Sequence, residues 1–252
     1  MMEYPALVFA LSLALLWLAV YAGTRYAKGA RHLAEDDRTD LGVILTATLT
    51  LLGLLIGFSF SMAITRYDQR KDLEAAEANA IGTELARAGL LPSDQAGKVR
   101  ELLKLYLGQR LLFYTTRDGG KLGQINTMTA RLQSELWSAV QEQAARQPNP
   151  IVALVASGMN DVLNSQAYTQ AAWWNRIPIA AWVLMMAIAV CCNALLGYTG
   201  HHPECMANRL FVFPLIVAIA FFLIADIDSP RGGVIRVHPL NLESVARPLS
   251  EP

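Results

Sequence analysis

The sequence predicts an all-α membrane protein: four transmembrane helices in two pairs, with a soluble helical insert between spans 2 and 3. Three observations carry this. Apolar residues fill 54% of the 252 positions and charged residues only 17%. The apolar residues collect into four runs, with nearly all charge between and after them. Strand signals are absent throughout, whereas apolar residues recur every three to four positions in the polar part. The expected organisation is residues 1–64 for spans 1 and 2, 65–176 for the insert, 177–225 for spans 3 and 4, and 226–252 for a C-terminal tail.

The first run, Ala6 to Ala22, carries no charge and has Trp17 and Tyr21 near its end. A signal peptide needs a basic start, which Met1-Met2-Glu3-Tyr4 lacks, so a retained anchor is expected. The second run, Leu41 to Ile64, is uncharged for 24 residues, longer than the roughly 20 needed to cross hydrocarbon. The third, Ile177 to Tyr198, opens with Pro178, which a first helical turn tolerates. The fourth, Leu210 to Ala225, is short and interrupted by Pro214, so its start is expected nearer Met206. Each must be helical, because unpaired backbone groups find no water in a bilayer.

Near the membrane, the side that holds the insert and both termini carries Arg66, Arg70, Lys71, Arg176, Arg231, Arg236 and Arg247. The other carries Arg25, Lys28, Arg31, Arg38 and Arg209. Positive charge favours the cytoplasmic side, so the insert and termini are expected in the cytoplasm and the protein in the bacterial inner membrane. Lys+Arg equals Asp+Glu, which gives no field for nucleic acid. Cys191, Cys192 and Cys205 make no disulfide framework.

In the insert, no Pro or Gly separates Ile64 from Asp72, so the second span is expected to continue as one helix to about Leu90. Pro92-Ser93 breaks it, with Ser93 as N-cap. A helix from Asp94 to about Thr116 places Val99, Leu102, Leu103, Tyr106, Leu107 and Arg110-Leu111 on one face. Asp118-Gly119-Gly120 reads as a turn. The next helix, about Gly123 to Ala145, has the stripe Ile125, Met128, Leu132, Leu136 and Val140. Asn149-Pro150 then gives an N-cap followed by proline, and the last helix runs to Trp173-Trp174, both read as membrane-interface anchors.

On the second span, Gly53, Gly57 and Ser61 repeat every four residues, a face small enough for close helix approach. Beside it run Thr50, Leu54 and Phe58. Helices of this kind packed in a ring turn such a stripe to a central axis, where an apolar constriction gates by dewetting. Ordinary packing within one subunit accounts for the same spacing. Arg66 and Arg70 can collect anions at a pore mouth, or belong to a solvated surface with pairs such as Arg70–Glu74. His201, His202, Glu204 and Cys205 are metal-ligand types, but a zinc site draws on a second segment that is missing here, so no metal site is expected. Asp226 and Asp228 in a Pro/Gly turn can hold a hard cation or pair with Arg231 or Arg66. No nucleophile elbow or phosphate-cradling loop occurs, so neither enzymatic chemistry nor a cofactor is expected.

From Leu41 to Val237 the chain resembles the bacterial bestrophin-like membrane proteins. The resemblance rests on Gly57-Phe58-Ser59-Phe60-Ser61, Arg66-Tyr67-Asp68-Gln69-Arg70, the stretch Glu77 to Glu84, and Asp226-Ile227-Asp228-Ser229-Pro230-Arg231-Gly232-Gly233. It is distantly similar to the bestrophins, pentameric anion channels with an apolar neck on the second span. The resemblance implies a pore neck at Thr50, Leu54 and Phe58, an anion vestibule at Arg66 and Arg70, and a homo-oligomer, pentameric by that analogy, that passes chloride or other small anions. Ile177-Pro178 matches the opening of the third span. Three departures stand out: the tryptophans that follow the Arg/Tyr segment are missing, Thr50 is polar, and the acidic turn lacks the long acid run of calcium-gated members. The alternative is a non-conducting, membrane-anchored scaffold that binds a partner through residues 65–176.

Overall fold

A chain in lipid must close its own hydrogen bonds, and only a continuous helix does so within one apolar run. The computed structural model describes residues 4–29, 35–199 and 203–250. Within them the chain forms eight α-helices and no strand: α1 (Pro5–Gly29), α2 (Glu35–Ala88), α3 (Ser93–Thr115), α4 (Gly119–Arg146), α5 (Pro150–Trp174), α6 (Ile179–Thr199), α7 (Pro203–Asp228) and α8 (Leu240–Ser250). Four helical stretches are long and apolar enough to cross a membrane, and they overlap the four predicted runs. The His201-His202 pair and the side chains of Glu204 and Cys205 lie outside the described residues.

The chain divides into two compact units. One comprises residues up to Arg66 with Arg176–Ile235; the other comprises Tyr67–Asn175 with residues from Arg236 onward. The C-terminal stretch, expected as a separate tail, is therefore shared between them, and its last part folds as α8.

In the apolar unit, α1 packs on α6 and α7. Leu16, Val20, Met185, Ala189, Cys192, Phe221 and Ile224 are buried there, and Trp182 meets Phe221 edge-on at 6.1 Å. The α1–α6 contact is a reciprocal backbone approach. A methyl group on Gly23 would overlap the Ala194 carbonyl, and one on Gly197 the Val20 carbonyl. Lipid tails are as apolar as leucine, so helices in a membrane gain from close backbone approach rather than from water exclusion. Helix α2 buries Leu52, Ser59 and Ala63, and Ser59 Oγ lies 3.1 Å from Met185 Sδ of α6.

The polar unit has a conventional core of Ile81, Val99, Leu103, Leu107, Leu136, Val155, Met159 and Val162. Several local expectations change. Ser93 is the first residue of α3 rather than its cap, and Pro92 in the cap position supplies no side-chain bond. Asp118 is a cap rather than part of a turn: its carboxylate accepts from Gly120 N at 2.8 Å, which starts α4 four residues earlier than predicted. On α4, Met128 is exposed and Thr129 takes the buried slot. Asn149 caps α5 as expected, its Oδ1 accepting from Val152 N at 3.0 Å. Pro178 precedes α6, its carbonyl receiving the Ala181 N–H at 3.0 Å. Of the paired tryptophans only Trp174 is exposed, at 74%. Trp173 sits in the core, 5.0 Å from the Phe113 ring and 5.4 Å from that of Tyr114.

Replacing Gly197 with leucine is expected to force α1 and α6 apart and cost about 1–3 kcal/mol, the usual range for overpacking. Thermal unfolding of the detergent-solubilised chain measures it, and an unchanged midpoint contradicts the close contact.

Candidate functional site

Among the described residues, the small-residue face of α2 has no partner. Cβ atoms built on Gly53 and Gly57 meet nothing within 4 Å, and Ser61 is exposed. Beside them Thr50 is exposed, Leu54 is 53% exposed and Phe58 62%. At about 100° per residue, these six positions fill one side of the helix and Leu52, Ser59 and Ala63 the other. Packing within one subunit therefore does not account for the glycine spacing, because the helix uses its opposite side for that.

The two arginines behave differently from expectation. Arg66 Nη1 lies 3.4 Å from Asp228 Oδ1, with both side chains largely covered. Arg70 is buried, at 2% exposure. Both side chains are covered in the chain rather than open to solvent as an anion vestibule requires. Asp68, Lys71 and Asp72 are the exposed charges beside them.

The turn after α7 uses its carboxylates as backbone clamps. Asp226 accepts from Val234 N and Ile235 N, both at 2.8 Å. Asp228 accepts from Ile177 N at 3.1–3.2 Å and faces Arg66. The returning chain gets close enough because position 233 is glycine: a methyl there would overlap the Asp226 carbonyl. The turn places N–H groups and a guanidinium where a cation would otherwise sit, and among the described residues no three metal-binding side chains gather. The motif is structural, which corrects the cation-turn expectation for Asp226 and Asp228. Arg66 reaches one of the turn's carboxylates, as one of the two expected pairings had it.

The acids that follow on α2 also leave the expected solvated surface. Glu74, Glu77 and Glu84 are buried. Glu74 receives Asn241 N at 3.0 Å, Leu242 N at 2.9 Å and Asn241 Nδ2 at 2.6 Å. It thus caps the first turn of α8, where unsatisfied N–H groups and the helix dipole favour a negative charge. Glu77 pairs with Arg110 Nε, and also accepts from Arg110 Nη2 at 3.3 Å, Tyr114 OH at 3.2 Å and Thr169 Oγ1 at 3.2 Å. Burial pushes the Tyr106 and Tyr114 phenols up, and the nearby Glu77 charge adds to it. Burial works against the Arg110 charge, but Glu77 outweighs it and holds the guanidinium ionised. Two sequence signals pointed to this network: the 4–3–7 spacing of Arg70, Glu74, Glu77 and Glu84, and an arginine inside the apolar stripe of α3.

A family profile described as the Bestrophin-like domain matches residues 6–242. Among solved structures, the chain is similar to a bacterial bestrophin homologue from Klebsiella pneumoniae phased with zinc. The two are 14% identical with a TM-score of 0.66, over 97% of this chain and 96% of that one. A point mutant of the same homologue gives 14% identity and a TM-score of 0.65 over 97% of both chains. A point mutant described only as a membrane protein gives 13% and 0.65, over 97% of this chain and 96% of that one. No curated protein matches the sequence.

Arg110→Met leaves the Glu77 charge buried without its cation and is expected to cost about 3–5 kcal/mol. The double variant Glu77→Leu/Arg110→Met is expected to lose less than the single one. Thermal unfolding of both decides it, and a milder single variant contradicts the pairing.

Proposed function

We propose, for a chain that belongs to the Bestrophin-like family, that it forms a homo-oligomeric ion channel of the membrane in which α2 lines the ion path. The single observation that carries this is the side of α2 bearing Gly53, Gly57 and Ser61 beside Thr50, Leu54 and Phe58. It is exposed over its whole length in the isolated chain. Small residues permit close approach of neighbouring copies, and the adjoining apolar stripe then forms a constriction that opens by hydration. In this reading Phe58 and Leu54 are the dry neck and Thr50 its polar end. A pentamer in the inner membrane, with the helical unit and both termini in the cytoplasm, follows the family resemblance and the arginine distribution.

The family points to small anions such as chloride as the permeating ions.

In vesicles containing the purified protein, ion flux is expected, and Phe58→Ala is expected to raise it at least several-fold. A monomeric mass in detergent, or silence of both wild type and Phe58→Ala, overturns the channel and leaves a non-conducting scaffold. The reversal potential in a salt gradient is expected on the chloride side, and a value on the cation side overturns the anion assignment.

A further inference from the structure

We propose that Glu84 acts as a proton-operated lock on the contact between α2 and α5 in the polar unit. Glu84 lies 20 residues beyond Ile64, the last residue of the apolar run, and its residue is 0% exposed. Neither carboxyl oxygen meets a hydrogen-bond donor. This sets it apart from Glu74 and Glu77, buried on the same helix with three and four donors respectively. The space for it is made by α5: a methyl group on Gly158 would overlap Glu84 Oε2 and crowd the Arg87 guanidinium. The carboxyl group therefore lies directly against the backbone of the neighbouring helix.

Burying an ionised carboxylate without donors costs far more than burying the neutral acid. Burial is the largest influence on Glu84, Arg87 on α2 opposes it, and Asp161 on α5 adds to it. Together they raise its pKa from 4.5 to about 8. Charges on the other helices of the unit are turned to other partners or to solvent in the cases that follow. Arg100 of α3 turns its Nε to the Leu85 carbonyl at 3.4 Å. On α4, Arg131 pairs with Glu135 and Arg146 with Glu142, and on α8 Glu243 and Arg247 are exposed. A carboxyl whose pKa is raised on folding contributes stability that is complete below its unfolded value and is lost as pH rises through the folded value. The α2–α5 contact is thus closed at neutral pH by a neutral acid and loosens above about pH 8.

The test uses the full chain in detergent. Between about pH 6 and pH 9 the thermal midpoint of the wild type is expected to fall by about 5–10 °C. Glu84→Gln, which keeps the shape without the proton, is expected to remove most of that fall. Infrared difference spectra provide a second reading on the wild type itself: a buried protonated carboxyl band present at pH 6 and absent at pH 9. Glu84→Gln with an undiminished pH slope overturns the lock. So does the absence of a titrating carboxyl band in the wild type, which decides the matter even if the variant does not fold.

Discussion

Helix α2 must satisfy two solvents with one hydrogen-bond ladder, and most of the arrangement follows from that. Its 54 residues extend about 80 Å at 1.5 Å each, whereas hydrocarbon takes up only about 30 Å. The uncharged stretch 41–64 holds one environment and the stretch rich in Arg, Lys and Glu the other. No residue between them breaks the helix, since a break would expose backbone groups where lipid has nothing to offer them. Each compact unit packs on its own part of this helix: through Leu52, Ser59 and Ala63 in one, through Glu74, Glu77, Ile81 and Glu84 in the other.

Charge is handled by burial with partners rather than by exposure. Glu77 gathers donors from α3 and α5, and Glu74 collects the free N–H groups at the start of α8. Asp226 and Asp228 serve the same purpose in the apolar unit, holding the returning chain and the start of α6. A carboxylate can accept several N–H bonds at once, which is how the segments at Ile177 and at Val234–Ile235, without regular structure of their own, are fixed. The arginine of the α2–α7 pair, Arg66, neutralises one of these clamps and is therefore spent on structure.

What remains open on α2 is correspondingly informative. A helix in a finished monomer would bury glycines at its closest contacts, as Gly23 and Gly197 are buried between α1 and α6. Gly53 and Gly57 have the spacing of such a contact and no partner among the described residues. Conduction along this side requires neighbouring copies to supply the missing surface.

The sequence by itself determined the membrane class, the four spans, the unbroken continuation of the second, and the Asn149 cap, because each rests on local chemistry: hydropathy, periodicity and a capping side chain. It also marked Gly53, Gly57 and Phe58 as a surface apart. Only the tertiary structure decided which way charged residues face. Arg66, Glu74 and Glu77 read as a solvated surface, yet their partners lie up to 168 residues away in Asp228, Leu242, Arg110 and Thr169. The burial of a charge depends on donors brought from distant segments, and no local pattern records where those segments will fold.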